Sequence, residues 1–188
     1  LNFPYSKGNY GQFEMFEVQT LHPELAENYT KIRSFVGRSV DKSDASTVRI
    51  TLTPQGLYAM ILKPNVGQVF INPLDLNGDF YMVFKKSSAS SARSHSCEVD
   101  ENTSFTEQVE DDDNQPFQVD DSTLRTYRLA LACTGQYAQF HVNQAGVGGG
   151  TTAQQTAAVL AAMVVSIDRV NQIYERDMSV SFQLIPNN

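Results

Sequence analysis

The sequence predicts an α+β chain in two unequal parts: an N-terminal antiparallel β-meander with a helix, then an incomplete α/β unit of strand, helix and strand. Three observations carry this. Four short apolar runs between residues 48 and 84 are joined by Pro- and Gly-rich turns. A helical period over residues 151–176 is flanked by two segments of period two. Between these parts lies a polar, acidic stretch, about 85–122, poor in large apolar residues.

Taking the elements in order, NFPYSKGNYGQFEMFEV reads as a hairpin turning at Ser6-Lys7-Gly8-Asn9. PELAENYTKIRSFV follows, with Pro23 suited to a first helical turn and Leu25, Tyr29, Ile32 and Val36 at helical spacing, so a helix is expected over 23–36 with Gly37 as its stop. Then come VRITLT (48–53), LYAMIL (57–62), QVFIN (68–72) and DFYMVF (79–84). Connections this short imply antiparallel neighbours, and the apolar face of that meander calls for the 23–36 helix or a partner protein to cover it.

TYRLALAC (126–133) alternates Tyr127, Leu129, Leu131 and Cys133 with Arg128, Ala130 and Ala132, which makes Cys133 an expected core residue. MSVSFQLI (178–185) alternates in the same way. Between them Leu160, Met163, Val164, Ile167, Val170 and Tyr174 fall on one helical face, and Thr151 with Gln154, or Thr152 with Gln155, offers a capping-box start. Strand, crossover helix and strand make a right-handed unit whose two strands lie parallel. Two strands leave such a helix partly uncovered.

Composition narrows the function classes. Of the 188 residues, 41% are hydrophobic and 19% charged, the balance of a chain that buries a core. A net charge of −7, with no basic run longer than Lys85-Lys86, argues against nucleic acid or an anionic membrane as partner. The longest apolar run, AAVLAAMVV, is far shorter than a membrane span. The chain opens on Leu1 rather than Met, which leaves prior removal of a signal segment open. Two cysteines, Cys97 and Cys133, allow at most one internal disulfide.

Several apparent motifs lead nowhere. GVGGGTT precedes a helix, but the position that would complete a G-x-G-x-x-G from Gly146 is Thr151, and no Walker lysine follows, so it reads as a flexible connection. Glu110-Asp111-Asp112-Asp113 lacks the spaced ligands and glycine of a calcium loop and reads as solvated linker. His22 before a helix and His141 after a strand have no second ligand at metal spacing. No G-x-S-x-G elbow frames a serine. No catalytic residue and no cofactor-binding residue is assigned.

LRTYRLALACTGQYAQFH, a Gly-rich stretch, and TTAQQTAAVLAAMVVSIDRVNQIYERDMSVSFQLI together resemble the opening of the catalytic domain of bacterial reprolysin-like zinc metallopeptidases of the metzincin group. By that resemblance residues 1–120 correspond to a propeptide, including the acidic linker, and residues 121–188 to the N-terminal part of the catalytic domain. The implied parent is a secreted zinc metalloendopeptidase made as a zymogen, its propeptide maintaining latency and assisting folding. The expected partner is the remainder of the catalytic domain. The family motif HExxHxxGxxH is absent from this sequence, so zinc belongs to the complete parent, none is expected on this chain, and the chain alone should be inactive. The resemblance also singles out Cys97, in SHSCEV, as an inhibitory zinc ligand whose thiolate would fill the fourth position; a free thiol and a disulfide to Cys133 stay open beside it. The reading from a different class is a non-enzymatic β-rich interaction, adhesion or inhibitor module.

Overall fold

The structure, a computed structural model, describes residues 1–76, 78–90 and 122–186. Strands β1 (Asn2–Ser6), β2 (Asn9–Val18), β3 (Arg33–Ser39), β4 (Thr47–Thr53), β5 (Gly56–Lys63), β6 (Gly67–Pro73) and β7 (Tyr81–Lys85) form one sheet in sequence order. Every neighbouring pair is antiparallel, which is the expected meander with one more strand than the turn pattern indicates. The added strand is β3. A helix α1 occupies only Pro23–Asn28, so the helix expected over 23–36 stops early and its second half is strand.

The reason is tertiary. Phe35, Gly37 and Ser39 alternate with Ser34, Val36 and Arg38, and pairing on both sides, with β2 and β4, satisfies the backbone of this segment in full. Gly37 is a close-approach site rather than a helix stop, since a Cβ there would crowd the Met15 sulfur and come within 2.7 Å of Val48 Cγ1.

One face of the sheet carries Phe13, Val48, Ile50, Ala59, Ile61, Val69 and Ile71 in a single buried cluster with Phe3. The expected cover for this face, a helix or a partner, is not what covers it. The sheet curls until β1 touches β7, and the face closes on itself.

The C-terminal unit holds β8 (Arg125–Leu129), α2 (Gly135–Gln144), α3 (Thr152–Met178) and β9 (Val180–Leu184), with β8 and β9 parallel as the crossover rule requires. Thr151 and Gln154 form the reciprocal capping box at the start of α3, and Ser179 ends it in the left-handed conformation at φ 53°. By length and composition α3 is able to cross a membrane, but in this fold it lies between the meander and β9 as a core helix.

The two units share a core. Leu21 and Ile32 from the N-terminal half pack with Ala161, Val164, Ile167 and Leu184. The backbone joins them too: Leu184 N–H donates to Thr20 O at 2.8 Å and His22 N–H donates to Leu184 O at 2.7 Å, so residues 20–22 run beside β9 as a short parallel extension of its sheet.

Candidate functional site

The second face of the meander is where α3 docks, and its chemistry is polar. Along β4 the alternation that sends Val48 and Ile50 into the apolar cluster sends Thr47, Arg49 and Thr51 to the other side. Ser34 of β3 lies beside Thr51 in register. Thr20 is added by the segment that pairs with β9. Each of these would face water on an isolated sheet. Here Thr20, Ser34, Arg49 and Thr51 are all buried.

They converge on Asp168 of α3, itself 1% exposed. Thr20 Oγ1 donates to Oδ1 at 2.6 Å, and Ser34 Oγ and Thr51 Oγ1 each donate to Oδ2 at 2.6 Å. Arg49 Nε adds a charged donor to Oδ1 at 3.1 Å. Four donors saturate the carboxylate, which is how a buried anion is tolerated. Arg49 continues outward: its Nη1 donates to Glu175 Oε2 at 2.8 Å, and Ser181 Oγ of β9 donates to Glu175 Oε1 at 2.7 Å. Glu175 is partly open to solvent, so the second negative charge of this triad keeps water.

Neighbouring turns of α3 extend the contact. Gln172 Nε2 donates to Thr47 O at 3.3 Å, and Arg169 Nη2 donates to Asn72 Oδ1 of β6 at 2.7 Å. On the side of α3 toward its own unit, Asn171 Nδ2 donates to Phe182 O and Phe182 N–H returns a bond to Asn171 Oδ1, both at 2.8 Å. Asn171 therefore locks α3 to β9 while Asp168, Arg169, Gln172 and Glu175 dock the pair onto the meander.

This arrangement binds rather than reacts. Asp168 has no free lone-pair direction for a substrate proton, and Arg49 is committed to two carboxylates. Among the described residues no three His, Cys, Asp or Glu side chains gather as a metal-holding group.

The residues singled out from sequence fall elsewhere. Cys97, the acidic cluster Glu110 to Asp113 and most of the linker lie outside the described residues. Cys133 is not a core residue: β8 ends at Leu129, and Cys133 follows as an exposed free thiol just before Thr134 caps α2. His141 lies within α2 rather than after a strand, with ring centroids 4.4 Å from Tyr137 and 5.0 Å from Phe140; burial pulls its pKa down, against a hydrogen bond with Gln144 that raises it. His22 caps α1 through its backbone, and its buried ring Nδ1 has no hydrogen-bond partner among the described residues. The Gly-rich connection is tied by Gln155, whose Nε2 donates to Gly148 O at 3.0 Å, rather than free.

Sequence reasoning missed Asp168, Arg49 and the three hydroxyls. A signal for Asp168 did exist, an isolated acid inside the apolar run of a helix. Arg49 carried none, because a polar residue alternating with Val48 and Ile50 reads as a solvent-facing strand position. Comparison with family models, curated proteins and solved structures finds no match.

Proposed function

We propose that this chain is the N-terminal, pro-region part of a secreted zinc-dependent metalloendopeptidase zymogen, in which the β-meander shapes and holds the opening α/β unit of the catalytic domain. The resemblance of residues 124–185 supplies the family. The observation that carries the role is the reception of Asp168 by four donors from three separate segments of the N-terminal unit. A helix with a buried acid cannot dock wrongly without leaving that charge uncompensated, so the meander acts as a template for α3 and β9.

The test is the uninterrupted parent chain. Its gene beyond Asn188 should encode HExxHxxGxxH, and the purified product should hold zinc and hydrolyse casein only after cleavage within about residues 101–124. A parent Cys97→Ser variant should lose latency if Cys97 is the inhibitory ligand. Absence of the motif together with no zinc and no hydrolysis overturns the proposal and leaves the non-enzymatic interaction module.

A further inference from the structure

A cleft of about 440 Å³ opens where the meander, α2 and α3 meet, a volume suited to a small organic ligand. Tyr58, Asn72 and Leu76 line it from the meander side, and Phe140, Ala162 and Arg169 from the helices. Arg169 crosses the cleft to reach Asn72, and its guanidinium carbon stands 5.0 Å from the centre of the Phe70 ring. The fork is thereby fixed in direction by one amide oxygen and one aromatic face, neither of which carries a charge.

Among the described residues no carboxylate pairs with Arg169. Among the described residues the one acid lining the cleft, Asp75, is turned to its own loop, where Oδ1 accepts the backbone N–H of Asp79 at 3.1 Å and of Phe80 at 3.2 Å. Burial lowers the pKa of Arg169, with the nearby Tyr58 phenol acting in the opposite sense, as expected of a cation without a counter-ion. Arg49, which is buried, has two carboxylates, whereas Arg169 is only partly buried. Among the described residues, Arg169 thus offers a fixed, partly desolvated guanidinium with N–H groups beyond the one that Asn72 takes, beside an open cleft.

We infer that the cleft binds a small carboxylate with an apolar body, the carboxylate on the free side of the Arg169 fork and the body against Tyr58, Phe140 and the small residues Ala158, Ala161 and Ala162. Planar, bidentate geometry favours a carboxylate, and the aromatic and alanine walls favour an apolar remainder over a bare inorganic ion. Because the walls come from both units, an occupant binds the docked arrangement and stabilises it by linkage. The cleft is a property of the docked arrangement and is independent of any peptidase activity in the parent.

The test uses the 188-residue chain with benzoate as probe, benzamide as its neutral counterpart and inorganic phosphate as the bare anion, followed by NMR shifts at Ala161 and Ala162 and by calorimetry. Benzoate should bind in the millimolar range or tighter, and Arg169→Gln should weaken it at least about tenfold, the loss of a charge-assisted pair. Ala162→Phe, which fills the cleft and leaves the guanidinium in place, should weaken it comparably, while the distant Arg33→Gln should not. Benzamide and phosphate should each bind at least about tenfold less well than benzoate. No benzoate binding, equal binding of benzamide or phosphate, or undiminished binding in Arg169→Gln overturns the assignment. Should Arg169→Gln fail to fold by circular dichroism, undiminished binding in Ala162→Phe overturns it.

Discussion

The two faces of the meander solve the same problem, the removal of a sheet surface from water, in opposite ways. The inner face does it with aliphatic side chains: Val48, Ile61 and Val69 are fully buried, and the curl that brings β1 to β7 needs nothing from outside the unit. The outer face does it with Ser34, Arg49 and Thr51, joined by Thr20 from the segment beside β9, and becomes dry only when Asp168 arrives. Aliphatic burial is non-directional and tolerates changes of shape, whereas a saturated carboxylate is satisfied in one geometry. The inner face holds a unit together; the outer face selects what is attached to it.

Removing the acid breaks that comparison most severely. Asp168→Ala leaves Arg49 with Glu175 alone and three hydroxyls without their acceptor, and the loss of one partner from a buried ion pair costs about 3–5 kcal/mol. Urea unfolding followed with hydrogen exchange is the measurement. Protection should fall in α3 and β9 and persist in β4 to β6, because the inner face is untouched. A uniform loss across both units, or a change below about 1 kcal/mol, would mean that the outer face selects nothing.

A milder change on the inner face sharpens the contrast. Ile61→Val removes one methyl group from a site with no exposure and should cost about 0.5–1.5 kcal/mol. Its effect on exchange should be spread over the whole meander while the docking of α3 is kept. Selective loss of α3 protection in this variant would show that packing, not the polar contact, governs attachment.

The smallest effect is expected at Asp44, a partly exposed acid outside both faces. Hydrogen bonds from Lys63 at 2.8 Å and from Ser46 hold its carboxyl below the ordinary range. A carboxylate whose folded pKa is lowered stabilises above its unfolded pKa and loses that contribution as pH falls through the folded value. Asp44→Asn should therefore cost under about 1 kcal/mol near neutrality, and the gap from the parent should close in the acid limb of a stability-against-pH curve. A gap that widens on acidification would reverse the sign of this assignment.

Legibility differed from element to element for physical reasons. The strands from Thr47 to Lys85, the helix from Thr152 and the parallel strand after it were readable because period, turn residues and a capping box all pointed the same way. Arg33 to Ser39 misled because Ile32 and Val36 mimic a helical stripe when counted with Leu25 and Tyr29, and only pairing with β2 and β4 makes a strand of them. Cys133 misled because alternation continues in sequence for four residues past the end of β8. The helix α2 was missed although Thr134 provides its cap, since its apolar residues are sparse.

What the sequence alone determined is local: which stretches form strands in a meander, where the long helix begins, and that the last strand runs parallel to the first of its unit. Periodicity and turn chemistry act over a few residues and leave their record there. The docking site was decided by tertiary structure alone. Arg49 and Asp168 lie 119 residues apart, and Ser34 and Thr20 are farther still from the acid they serve. On its own element each of these side chains is a polar residue facing outward. Only when the curled sheet and α3 meet does the low dielectric between them turn five ordinary polar positions into one binding site.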